Sequence, residues 1–102
     1  MAKNGQLRRG RPKKPRNIQK EPFVRQFSPR GRIGRPGYID MGEDEYEALR
    51  LADFIGLNQK EAASSMGISQ QTYSRVLKGA RKALTEGVVL GKIIRIRGGR
   101  KS

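Results

Sequence analysis

The chain has no cysteine, no histidine and no tryptophan among its 102 residues. Without thiols there is no disulfide, and without thiolate or imidazole there is no ordinary zinc site. The same absences remove the thiol nucleophile and the commonest general base of enzyme catalysis. No carboxylate spacing suggests a magnesium or calcium site. Aromatics are scarce, with three Phe and three Tyr, and hydrophobic residues make up 34% of the chain. That supplies a core for part of the chain only. No apolar run approaches the roughly 20 residues that span a bilayer. The start, MAKNGQLRRGRPKKPR, has no apolar segment behind its charges, unlike a secretory signal. A soluble cytoplasmic protein, without metal, cofactor or membrane contact, is the expectation.

What the chain has in excess is positive charge, +14 in all. Residues 1–37 hold twelve Lys or Arg and one Glu, residues 38–91 hold six basic and eight acidic residues, and residues 92–102 hold five basic residues. A nearly neutral module therefore sits between two basic ends. Charge so concentrated repels itself unless a polyanion is near, which points to nucleic acid.

The module carries a legible helical pattern. Glu43-Asp44-Glu45 suits the positive end of a helix dipole, and a first helix is expected from Glu43 to about Ile55. Tyr46, Leu49, Ala52 or Asp53, and Phe54 or Ile55 would form its apolar stripe. Gly56 is a natural left-handed stop, and Leu57 can pack back on the last turn. Asn58 and Glu61 read as a capping box opening a second helix, Gln59 to Met66, with Ala62, Ala63 and Met66 inward. Ala63 is placed where two crossing helices come closest. Gly67 and Ile68 make a tight, anchored turn, and Ser69 caps a third helix. There Tyr73, Val76, Leu77, Ala80 and Leu84 follow one face, while Gln70, Gln71, Ser74, Arg75 and Lys78 follow the other.

Two short helices joined by Met66-Gly67-Ile68-Ser69 have the spacing of a helix-turn-helix. The expected recognition helix, 69–84, would lie in the major groove. Ser69, Gln70, Gln71, Ser74 and Arg75 are the candidates for base contacts, since Gln pairs with adenine and Arg with guanine. Thr72, Lys78, Arg81 and Lys82 are candidates for backbone contacts. The acidic residues of the first helix must face away from DNA or hold Arg50, Arg75 or Arg81. The fold class is thus mainly α, a three- or four-helix helix-turn-helix module over 38–91. A short C-terminal β-strand and frayed tail close the chain over 92–102, and a basic, largely disordered arm precedes the module over 1–37. The strand, residues 92–97, needs a partner, either Tyr38 to Met41 or a second copy.

The arm is rich in Gly and Pro. Phe23, Val24 and Phe27, with Ile33 and Tyr38, are expected to pin its second half onto the module. Arg9-Gly10-Arg11-Pro12 resembles an AT-hook core, flanked by Arg8, Lys13, Lys14 and Arg16. Glycine permits close approach to the groove floor, proline keeps the chain extended, and arginine meets the negative potential of a narrow A·T groove. Simple phosphate contact is the competing reading of the same residues.

Several segments together resemble the UPF0251 family, also called DUF134. They are Arg11-Pro12-Lys13-Lys14-Pro15-Arg16, Phe27-Ser28-Pro29-Arg30-Gly31, and Asp44 through Asp53. Gly56 through Ala63, Met66-Gly67-Ile68-Ser69, Thr72, Ala80-Arg81-Lys82-Ala83-Leu84 and a closing segment from Gly87 to Gly99 complete the set. The resemblance implies a small prokaryotic DNA-binding protein whose helical part is similar to the fourth region of bacterial sigma factors. Cysteines that many relatives carry as candidate metal ligands are absent, so no metal role transfers. The leading expectation is sequence-specific double-stranded DNA binding by a transcriptional regulator, with no enzyme activity. It would act by occluding a promoter or touching RNA polymerase, and a homodimer on a pseudo-palindrome fits a single short reading helix. The alternatives are a nonspecific architectural DNA binder and, behind it, an RNA- or ribosome-associated protein.

Overall fold

The computed structural model describes residues 18, 20–31 and 34–98. Two short strands come first, β1 (Gln26–Phe27) and β2 (Tyr38–Gly42). Helix α1 (Glu43–Leu49) then runs without a break into a π-helical segment, Arg50–Ile55. Helix α2 (Gln59–Met66) and the long helix α3 (Gln70–Leu90) come next, and strand β3 (Ile93–Arg97) closes the order. The result is the expected mainly α module with a short C-terminal strand.

The local signals act where the sequence puts them. At the α1 start, the Glu45 carboxylate accepts from the Gly42 amide at 3.0 Å. Asn58 Oδ1 accepts from the Glu61 amide at 2.8 Å, and Glu61 Oε1 accepts from the Asn58 amide at 3.0 Å, completing the capping box. Ser69 Oγ accepts from the Thr72 amide at 3.0 Å. Such caps are each worth about 1 kcal/mol. Gly67 has φ 68°, the left-handed conformation that lets α2 stop and α3 depart within three residues.

The helical core is Ala48, Leu51, Ala62, Ala63, Met66, Tyr73 and Leu77, with Leu57, Ile68 and Val76 packed against it. Burying a side chain such as Leu51, Met66 or Leu77 contributes about 1.5–3 kcal/mol. Two expectations for α1 are corrected. Phe54 is 84% exposed and Ile55 is 50% exposed, so the inward residues are Ala48 and Leu51. The π-helical turn explains this: its wider hydrogen-bond spacing adds a residue per turn and rotates the next side chains off the α-helical stripe. The amides of Gly56 and Leu57 both close on the Leu51 carbonyl, at 3.1 and 2.9 Å.

Strand β3 finds its partners within the chain. It lies at the centre of a three-stranded sheet, parallel to β2 and antiparallel to β1. Ile39 is opposite Ile94 and Met41 opposite Ile96, so these apolar residues share the face toward the helices. The outer face is polar: Arg95 donates to Asp40 at 3.2 Å and lies over the Tyr38 ring at 3.9 Å. The arm's second half is pinned differently from expectation. The Phe23 side chain is 98% exposed; attachment comes from the β1 ladder, the Ile96 amide donating to the Arg25 carbonyl at 2.8 Å, and buried Pro22. Among the described residues, no helix is long and apolar enough to cross a membrane.

Candidate nucleic-acid interface

The α2–turn–α3 unit stands on one buried phenol. Tyr73 is fully buried in the first third of α3, and its hydroxyl donates to the Ala48 carbonyl at 2.7 Å. Burial pushes this phenol above its ordinary range, with Asp53 adding to the effect. Leu77 and Ala80 continue the buried line, so the rotation of α3 about its own axis is determined. With that face inward, Gln70, Gln71, Ser74, Arg75 and Lys78 are all exposed. Ser69 sits at the exposed helix start, and half-buried Thr72 accepts the Ser69 hydroxyl proton at 2.9 Å.

The cations of α3 divide into two groups. Arg81 is engaged: its Nη2 and Nε lie 2.7 and 3.1 Å from the two carboxylate oxygens of Asp53. That hydrogen bond holds the Asp53 carboxyl below the usual carboxylate range and raises Arg81. A phosphate reaching Arg81 would compete with Asp53. Arg75, Lys78 and Lys82 are exposed and make no ion pair among the described residues. Arg50 is held by Glu47, at 2.9 and 3.0 Å, and this bond raises the Arg50 pKa. The acidic helix start is likewise occupied, with Glu43 paired to Arg25.

The recognition helix expected from the sequence ends at residue 84, whereas α3 continues to Leu90. Gly87 is the reason it is able to. An added Cβ there would meet Ile94 Cγ1 at 2.5 Å, so only glycine lets α3 cross the sheet so closely. Leu84, expected inward, is 40% exposed, since α3 leaves the helical core by that point. Lys60, not among the residues expected at the interface, is exposed in the first turn of α2. Arg8, Arg9, Gly10, Arg11, Pro12, Lys13, Lys14 and Arg16 lie outside the described residues, as does Ile33. Among the described residues, no cluster of acidic side chains could hold a metal ion.

Residues 6–102 match the family described as "Protein of unknown function DUF134". The chain belongs to that family. It is 47% identical over 90 residues to a UPF0251 protein of Syntrophobacter fumaroxidans, covering 87% of this chain and 58% of that one. A UPF0251 protein of Chlorobaculum tepidum is 46% identical over 91 residues, covering 87% of this chain and 46% of the relative. One from Methanococcus maripaludis is 41% identical over 97 residues, covering 91% and 72%. The chain thus spans about half to three-fifths of the length of the first two relatives. No solved structure matches the chain.

Proposed function

We propose that this module binds double-stranded DNA in a sequence-specific way, as a small transcriptional regulator rather than an enzyme. The observation that carries the proposal is the exposed ridge of Gln70, Gln71, Ser74, Arg75 and Lys78 on a helix locked by Tyr73. An α-helix with such a face fits a B-form major groove, and its exposed N-terminus favours a phosphate. Gln71 and Arg75 read bases, Lys78 and Lys82 hold phosphates, and α2 crosses the backbone with Lys60. The arm tracks the backbone or enters an A·T minor groove through Arg9 and Arg11. The order of capped helix, glycine turn and capped helix supports the likeness to the fourth sigma-factor region. Contact with RNA polymerase is part of the same proposal.

Selection of bound duplexes from a random library tests it. A defined consensus is expected. Gln71→Ala and Arg75→Ala should each cost about 1–3 kcal/mol on the selected site and far less on random duplex. Equal losses on both would remove base reading from these residues. A second reading, nonspecific architectural binding, is favoured by the +11 charge of residues 1–37. It predicts a selection without a consensus.

A further inference from the structure

Helix α3 covers one face of the sheet and leaves the other open. It crosses the inner face where Gly87 meets Ile94, so the outward residues of β2 and β3 face solvent. Tyr38 is 51% exposed there. Arg95 stands opposite Asp40, and Arg97 is the next outward residue of β3. Two residues of strand set these arginines about 6.6 Å apart, close to the step between neighbouring phosphates of one nucleic-acid strand. Asp40 is the only acid among the outward residues of the three strands. It serves both arginines, at 3.2 Å from Arg95 Nε and 3.8 Å from Arg97 Nη1.

Arg95 differs from two other arginines of the fold. Glu47 closes the fork of Arg50 by taking Nε and Nη2, and Asp53 closes that of Arg81 in the same way. Asp40 takes only the Nε of Arg95, while the Tyr38 ring supports the guanidinium from one side at 3.9 Å. Among the described residues, nothing bonds its two Nη groups. An arginine held in this way is oriented before any ligand arrives. It holds out a planar pair of N–H donors that matches two oxygens of a phosphate. Residues 92–102 carry five basic side chains and no acidic one, so the field at this end of the chain draws a polyanion.

We infer that the outer face of the sheet binds the phosphodiester backbone of a nucleic-acid strand. Arg95 and Arg97 each contact a phosphate, and Tyr38 and Asp40 are positioning residues for Arg95. The choice of nucleic acid among phosphate-bearing partners rests on the DNA-binding reading; the open fork of Arg95 does not. Contact of this kind carries no sequence information, so it adds affinity alike to any duplex.

Fluorescence anisotropy of the full chain on labelled duplex, selected and mixed-sequence, over a salt series tests the site. Arg95→Ala should weaken binding about tenfold on both duplexes and flatten the log–log salt slope by about 0.9. Arg97→Ala is the second variant and should flatten it alike; its side chain is 55% exposed, so the fold tolerates the change. Arg95→Lys should keep the slope and lose affinity, because the charge stays while the fork and the ring contact go. Tyr38→Leu should likewise weaken binding at an unchanged slope. Thermal midpoints should stay at the wild-type value, since exposed ion pairs contribute little. A single-stranded oligonucleotide of equal length is the second probe. Alanine variants that bind both probes with wild-type affinity and slope overturn the inference, even where the chain still selects a consensus duplex. Losses in the alanine variants without any selected consensus leave the sheet site standing and defeat sequence-specific reading alone. Losses confined to the single strand keep the sheet site and defeat the duplex reading. A chain that binds neither probe defeats both.

Discussion

Tyr73 joins stability to the placement of the exposed polar face of α3 through one atom. Its hydroxyl donates to the Ala48 carbonyl, and its ring is fully buried between α1 and α2. Burial raises its pKa, so the folded protein holds the proton more tightly than the unfolded chain. The stabilisation is therefore complete below the unfolded phenol's pKa of about 10 and declines as pH rises above it. Tyr73→Phe should lower stability by about 1 kcal/mol near neutrality, because the hydrogen bond is gone. It should also remove much of the alkaline decline. Urea midpoints taken from about pH 8 to about pH 11 check both effects. A variant whose midpoint falls with pH as steeply as the wild type would mean that another group controls the alkaline limb. Asp53 has the opposite sign. Its lowered carboxyl supports the fold above the ordinary carboxylate range and loses that effect as acid protonates it.

Helix α3 does two jobs along its length, and Gly87 marks the division. N-terminal to it, Tyr73, Leu77 and Ala80 pack on the helical core; at Gly87 the helix rests on the sheet. Alanine has the better helix propensity by about 1 kcal/mol. Here its methyl would collide with Ile94, which is itself buried in the sheet. Overpacking costs of about 1–3 kcal/mol offset the gain, so Gly87→Ala should destabilise by up to about 2 kcal/mol. Adding Ile94→Val should recover part of that loss, and a thermal double-mutant cycle measures the coupling. Independent effects would show that the helix moves rather than Ile94.

Across the whole molecule, the exposed polar ridge of α3 belongs to a module whose charge is close to balanced, and the excess lies at the two ends. On the DNA-binding proposal, base recognition and phosphate attraction fall to different parts of the chain. Arg9→Ala with Arg11→Ala should flatten the log–log salt dependence of duplex binding by about 0.9 for each phosphate that the arm ceases to neutralise. The preferred sequence selected by α3 should persist if the arm touches phosphates alone, and lose A·T preference at its flanks if the arm enters the minor groove. An unchanged slope would exclude the arm from the complex. Fluorescence anisotropy over a salt series gives the slope directly.

The caps at Asn58 and Ser69, the turn at Gly67 and the polar ridge from Gln70 to Lys78 arise from residues close together in the chain. Hydrogen bonds of that short reach form in any chain that turns helical there, so composition and spacing suffice to locate them. The parallel pairing of Asp40 with Arg95, 55 positions away, has no such local cause. The same holds for the Arg81–Asp53 bond, and for the π turn that swings Phe54 outward. These depend on where α1, α3 and the sheet come to rest once their apolar faces are packed. The ridge was thus readable along the chain, whereas these long-range contacts arose only from assembling separated segments.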